Sequence, residues 1–167
     1  MGRTTDLRRE IKQRINPLMA EKGFICDMRQ APQFVTFRKR APEAVYVFDI
    51  QWEKYGAPRF IINFGKCGAA GTICHGERVD PENVFPSHTP LFGRLGPSRA
   101  SSTSGWFRQD RPLINRIPTW SRYYPAEDVV TNLVTLFREV EEFWANGKMG
   151  PHVRLLPAPE EWVKDVV

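Results

Sequence analysis

The sequence predicts an α+β fold: an antiparallel meander of four to six strands, covered on one face by an N-terminal and a C-terminal helix. Three observations predict it. Apolar residues recur at helical spacing near both ends of the chain. Between residues 24 and 65 lie short stretches rich in Phe, Val, Ile and Tyr, punctuated by Pro and Gly. The connections between them are three to five residues long, too short for the crossover of roughly a dozen residues that parallel neighbours need.

The first helix is expected over residues 4–22, where Leu7, Ile11, Ile15, Leu18 and Met19 form one apolar stripe. Thr4 or Thr5 can cap its first N–H groups, Asp6 suits the positive end of its dipole, and Gly23 suits a left-handed stop. Pro17 removes a backbone bond near Gln13, so a kink is expected. Strands are expected over residues 24–29, 33–40, 44–54 and 59–66. In the third, Tyr46, Phe48, Ile50 and Trp52 share a face that is apolar throughout and should cover the core. Val45, Val47, Asp49 and Gln51 share the other, which reads as too polar to demand cover, so both helices should lie on the first.

From residue 67 to 125 the periodicity degrades, with extended structure expected around 91–95, 105–108 and 113–117. The last major helix begins at Pro125 or Ala126 and runs to about Asn146. Its stripe is Val130, Leu133, Phe137, Val140 and Trp144, widened by Phe143; Glu127 and Asp128 suit its start and Gly147 its end. Residues 1–150 thus read as a single domain. Residues 151–167 read as a C-terminal strap packed on it, with a short helix around Trp162, Val163 and Val166.

At 167 residues, 41% hydrophobic and 26% charged, the chain has the size and composition of one globular domain. No apolar run approaches the roughly 20 residues of a membrane span, and residues 1–14 lack the apolar centre of a secretory signal. The cytoplasm is the expected location, with no membrane association. Cys26, Cys67 and Cys74 are odd in number and irregularly spaced, which favours reduced thiols over a disulfide framework. The net charge of +5 is unevenly spread: residues 1–40 and 83–125 are basic, while 41–82 and 126–167 are acidic. The blocks either face one another in the fold or mark an anionic partner.

The runs Pro17-Leu-Met-Ala-Glu-Lys-Gly-Phe24, Val47-Phe-Asp-Ile-Gln-Trp52 and Phe60-Ile-Ile-Asn-Phe-Gly65 resemble segments of the bacterial domain of unknown function 4304 family. So do Phe92-Gly-Arg-Leu-Gly96 and Gly105-Trp-Phe107. The resemblance covers about residues 7–146. It implies a bacterial α+β domain with an antiparallel sheet and supplies no activity or catalytic residue. The segment between Gly65 and Phe92, with Cys67, Cys74, His75 and His88, is long for that family.

The stretch Gly65-Lys-Cys-Gly-Ala-Ala-Gly-Thr72 is a poor phosphate loop, because Lys66 precedes the glycines and no helical period follows; a wide turn at a sheet edge is the better reading. Cys67, Cys74, His75 and His88 offer zinc-ligand types at unsuitable spacing, so no metal and no cofactor is assigned. His75, His88 and His152 fall in loops or the tail, no serine sits in a strand–helix elbow, and no catalytic residue is assigned. The candidate binding residues are Arg94, Arg99, Trp106, Arg108, Arg111, Arg116, Trp120 and Arg122, arginines interleaved with aromatics. That composition is favoured at interface anchors, and it also suits phosphate contact and base stacking. In the bland reading the aromatics anchor an irregular segment and the arginines pair with the acidic last helix. The leading expectation is a non-catalytic protein-interaction module with an unidentified protein partner. Homodimerisation through a sheet edge is a further expectation. Nucleic-acid binding through residues 94–124 is the alternative, and an enzyme of unassigned mechanism the third.

Overall fold

A computed structural model describes residues 3–99, 105–110 and 123–157 of the chain. Its first helix, α1, spans Arg3–Glu21 and continues through Pro17. Gly23 follows at φ 84°, the left-handed conformation that turns the chain into the sheet. The strands β1 (Ile25–Asp27), β2 (Phe34–Arg40), β3 (Ala44–Trp52) and β4 (Arg59–Gly68) form the meander, each antiparallel to the next. A small separate hairpin, β5 (Thr72–Cys74) and β6 (Glu77–Val79), follows where the glycine-rich stretch ends. The chain then returns to the far side of β4, where β7 (Leu91–Leu95) and β8 (Phe107–Arg108) pair with successive parts of that strand. After α2 (Ala126–Asn146), β9 (Val153–Leu155) pairs with β7. The main sheet has seven strands in the order β1-β2-β3-β4-β7-β9, with β8 beside β4.

Both helices cover one face, and the residues that put them there are those of the apolar stripes. Leu7, Ile11, Ile15 and Met19 from α1 and Val130, Leu133, Phe137, Val140 and Trp144 from α2 share one buried cluster with Phe48, Ile50 and Trp52 of β3. Phe48 stacks on Phe37 at 4.7 Å and meets Phe137 edge-on at 4.8 Å. Each such side chain, fully buried, contributes about 1.5–3 kcal/mol. Gly147 ends α2 at φ 74°, its N–H bonded to the Phe143 carbonyl at 2.8 Å.

The opposite face corrects an expectation, for it too is covered over part of its area. Val45, Val47, Cys67 and Val84 form a second buried cluster. The cover is the segment from Pro81 to Thr89, which holds two single-turn 3-10 helices, Pro81–Asn83 and Pro86–His88. Antiparallel register supplies the reason. Val45 lies opposite Cys67 and Val47 opposite Gly65, so two valines and a thiol stand beside a position with no side chain. Thr89, fully buried, fills that space, and a Cβ at Gly65 would overlap its side chain. The sequence around Asp49 and Gln51 masked this apolar patch at the other end of the same strand face.

The expected extended segment at 113–117 and the short helix around Trp162 lie outside the described residues. No helix among the described residues is long and apolar enough to cross a membrane.

Candidate functional site

Strand register aligns one residue from each of six strands into a polar row on the second face. Asp27 lies opposite Thr36, Thr36 opposite Asp49, Asp49 opposite Asn63, Asn63 opposite Arg94, and Arg94 opposite Arg154. Residues directly opposite in antiparallel strands point to the same face with Cβ atoms about 5 Å apart, so these six form a continuous line. Its centre is hydrogen-bonded. Arg94 Nε donates to Asn63 Oδ1 at 2.9 Å, and Asn63 Nδ2 donates to Asp49 Oδ1 at 2.8 Å and to Gln51 Oε1 at 3.0 Å.

Asp49 is 6% exposed. Burial pushes its carboxyl up to about 7, against the opposing pull of the Asn63 hydrogen bond and the Arg94 and Arg38 charges. Burial also lowers the Arg94 guanidinium. The Thr36 hydroxyl, equally enclosed, has no hydrogen-bond partner among the described residues. Asp49 therefore sits where it can gain or lose a proton near neutrality. The group bonded to it is the Asn63 amide.

At the β1 end the row runs into an ion cluster. Arg29 donates to both Asp27 carboxylate oxygens and also reaches the Asn83 side chain and the Glu82 carbonyl, all at 2.8 Å. Arg38 Nη1 meets Asp27 Oδ2 at 2.5 Å, and Arg38 Nε donates to the Val84 carbonyl at 2.5 Å. The Arg29 hydrogen bond, with Arg38 beside it, holds the Asp27 carboxyl well below the usual carboxylate range. The Arg38 guanidinium lies 4.7 Å over the Phe85 ring, and its Nη2 has no partner among the described residues.

Beside this cluster, over edge strand β1 and its neighbour β2, runs an open groove of about 540 Å³. Ile25, Cys26, Met28, Arg38, Arg40 and Pro81 are among its lining residues. Ile25 is 76% and Met28 56% exposed, whereas large apolar side chains elsewhere in the sheet are mostly buried. A smaller recess of about 380 Å³ lies at the end of α2, between Phe24, Tyr46 and Trp144, with Lys22, Lys39 and Glu141 lining it.

Of the predicted binding residues, Arg94, Arg99, Trp106 and Arg108 are among the described residues. Arg94 is half-buried in the polar row, and Arg99 is exposed where the described segment ends. Trp106 lies under the Arg59 guanidinium at 5.2 Å, and Arg108 is ion-paired with Asp110. Arg111, Arg116, Trp120 and Arg122 lie outside the described residues. The expected pairing of the arginines with the acidic last helix is not what the described residues show. Glu141 of α2 meets Lys22 of α1 at 2.6 Å, and Glu139 meets His152 at 2.6 Å. Lys22 and His152 lie beside α2 in the packed structure, whereas Arg94 and Arg108 stand on the sheet face opposite the helices.

Of the residues with zinc-ligand side chains, Cys67 is buried in the second cluster with its thiol pushed up to about 11 by burial. His88 accepts from the Phe85 N–H at 3.3 Å and packs edge-on to the Phe85 ring. No group of three His, Cys, Asp or Glu side chains among the described residues is placed to hold a metal ion. The sequence reading missed Ile25, Met28, Arg38 and Arg40. Their signal was weak: β1 is three residues long, and the exposure of Ile25 follows from its place at the sheet edge.

Fold and site together define an α+β protein with a seven-stranded antiparallel sheet, one face covered by helices and the other divided between a polar row and a small apolar cluster. No protein-family model, curated protein or solved structure matches the chain.

Proposed function

We propose that this is a cytoplasmic, non-catalytic protein-interaction module, related in build to the domain of unknown function 4304 family, that binds an extended segment of another protein along the edge of β1. The observation that carries the reading is the open edge strand itself, with Ile25 and Met28 exposed beside a groove. An edge strand offers unpaired N–H and C=O groups, and neighbouring side-chain sites add specificity. The Arg94 and Trp106 region, which composition favoured, supports it less, because its described side chains are already engaged within the fold.

The test is affinity capture of the tagged chain from cells of its source, in parallel with Ile25→Asp. A partner recovered with the wild type and lost with the variant is the expected result. Recovery of nothing above background would remove the reading.

Nucleic-acid binding is favoured by one observation: Arg94 and Arg154 stand side by side across β7 and β9, and neither is ion-paired among the described residues. It predicts affinity for a mixed-sequence oligonucleotide that falls steeply with salt. Shallow salt dependence would count against it.

A further inference from the structure

The β1 groove carries more positive charge than its own carboxylates neutralise. Asp27 is shared between Arg29 and Arg38. Arg40, two residues along β2 from Arg38, lines the same groove and makes no ion pair among the described residues. Glu82 is the other acidic lining residue. Three guanidinium groups thus meet two carboxylates, one of which is doubly engaged.

Arg38 is the second and independent observation. It is 7% exposed, yet its Nη2 has no hydrogen-bond partner among the described residues. Its Nε and Nη1 are pinned at 2.5 Å by the Val84 carbonyl and Asp27, and Phe85 supports its plane. Buried polar groups are ordinarily satisfied, so an orphaned donor on a fixed guanidinium at a groove calls for an acceptor. A carboxylate oxygen forms a charge-assisted hydrogen bond with a guanidinium N–H, stronger than a neutral acceptor would make. Beside it, Ile25, Met28 and Pro81 supply apolar surface on which an alternate side chain of an extended strand would rest.

We infer that the groove recognises an extended peptide segment carrying an acidic residue, whose carboxylate binds at Arg38 and Arg40 while its backbone pairs with β1. This rests on the interaction-module reading and names the chemistry of the partner.

The experiment is selection of random octapeptides displayed against the immobilised chain. Enriched peptides are then measured by fluorescence anisotropy on wild type, Ile25→Asp, Arg40→Glu and Arg38→Met. The expected result is enrichment of β-branched residues around at least one Asp or Glu, with affinity falling roughly tenfold or more in Arg40→Glu. Replacing the peptide's acid by its amide should cost a similar factor on wild type and little on Arg40→Glu. Arg40 is exposed, so that variant keeps the fold even if Arg38→Met does not, which circular dichroism reports.

Enriched peptides without an acid, equal binding to Arg40→Glu, or no enrichment above the display background would each overturn the inference. So would a wild-type dimer, seen by light scattering, that Ile25→Asp dissociates, because a second copy would then own the groove. The two readings fail separately. A cellular partner captured equally by wild type and Ile25→Asp sinks the groove and leaves the module, while acid-dependent peptide binding with no cellular partner does the reverse.

Discussion

Asp49 and Gly65 show how much a single position on the second face controls. Asp49 has a carboxyl raised to about 7 by burial, against an ordinary value of 3.8. The folded state then holds a proton that the unfolded chain has released, so stability is present below about pH 4 and is lost as pH rises toward about 7. At about 1.4 kcal/mol per tenfold, the loss is on the order of 4 kcal/mol. Asp49→Asn is therefore expected to flatten the stability profile across that window and to raise stability at pH 8. Urea unfolding at several pH values checks it, and a profile unchanged by the substitution would contradict the burial argument. Asp27 works in the opposite sense: its lowered carboxyl contributes stability above the usual carboxylate range that is lost in acid. Gly65→Ala should cost about 1–3 kcal/mol, because the added methyl overlaps Thr89 and that side chain is enclosed. Chemical denaturation reads the cost directly.

Among the elements, the covering segment from Pro81 to Thr89 is the one whose role is easiest to isolate. Val84 is its buried contribution to the second cluster, and the Val84 carbonyl anchors Arg38. Val84→Ala should cost roughly 1–3 kcal/mol through lost burial and an imperfectly filled space. It should also raise hydrogen exchange at Val45 and Val47 while leaving Leu133 and Phe137 protected. Equal loosening of the helical face would mean that the two layers are not energetically distinct. The β1 strand contrasts with this segment. Its three residues make few ladder bonds, and much of its anchoring comes from the side chains of Asp27, Arg29 and Arg38. Short edges of this kind resist unwanted pairing while leaving a defined place for a wanted one.

For the chain as a body, the first and last of the four charge blocks meet in space. Arg14 of α1 reaches the Glu127 carbonyl and the Thr131 hydroxyl, and Lys22 meets Glu141, so the basic first helix lies along the acidic last one. Such half-exposed ion pairs orient helices more than they stabilise them: a double-mutant cycle on Lys22 and Glu141 should give a coupling of about 0–1 kcal/mol. Thermal unfolding followed by far-ultraviolet circular dichroism and by tryptophan fluorescence should coincide, because α1, α2 and the sheet share one buried cluster. Separated transitions would show the two helices belonging to independently unfolding units.

The helices, the four-stranded meander and the face that buries Phe48 were legible in the linear pattern. Apolar stripes, left-handed glycines at 23 and 147 and strand alternation are local, set by neighbours three or four positions apart in helices and two apart in strands. The short β5–β6 hairpin and β9 were not legible, since three-residue strands carry too little alternation to declare themselves. The candidate site was least legible of all. Asp27, Thr36, Asp49, Asn63, Arg94 and Arg154 are unremarkable polar residues scattered over most of the chain, and register alone sets them in one line. Likewise, Arg38 and Arg40 read as surface charge until Val84 and Phe85 close over the first and leave the second at a groove. Periodicity reports which way a side chain faces within its own strand. Which strand comes alongside, and which loop folds over, depends on pairings between distant segments that leave no mark in the spacing of any one of them.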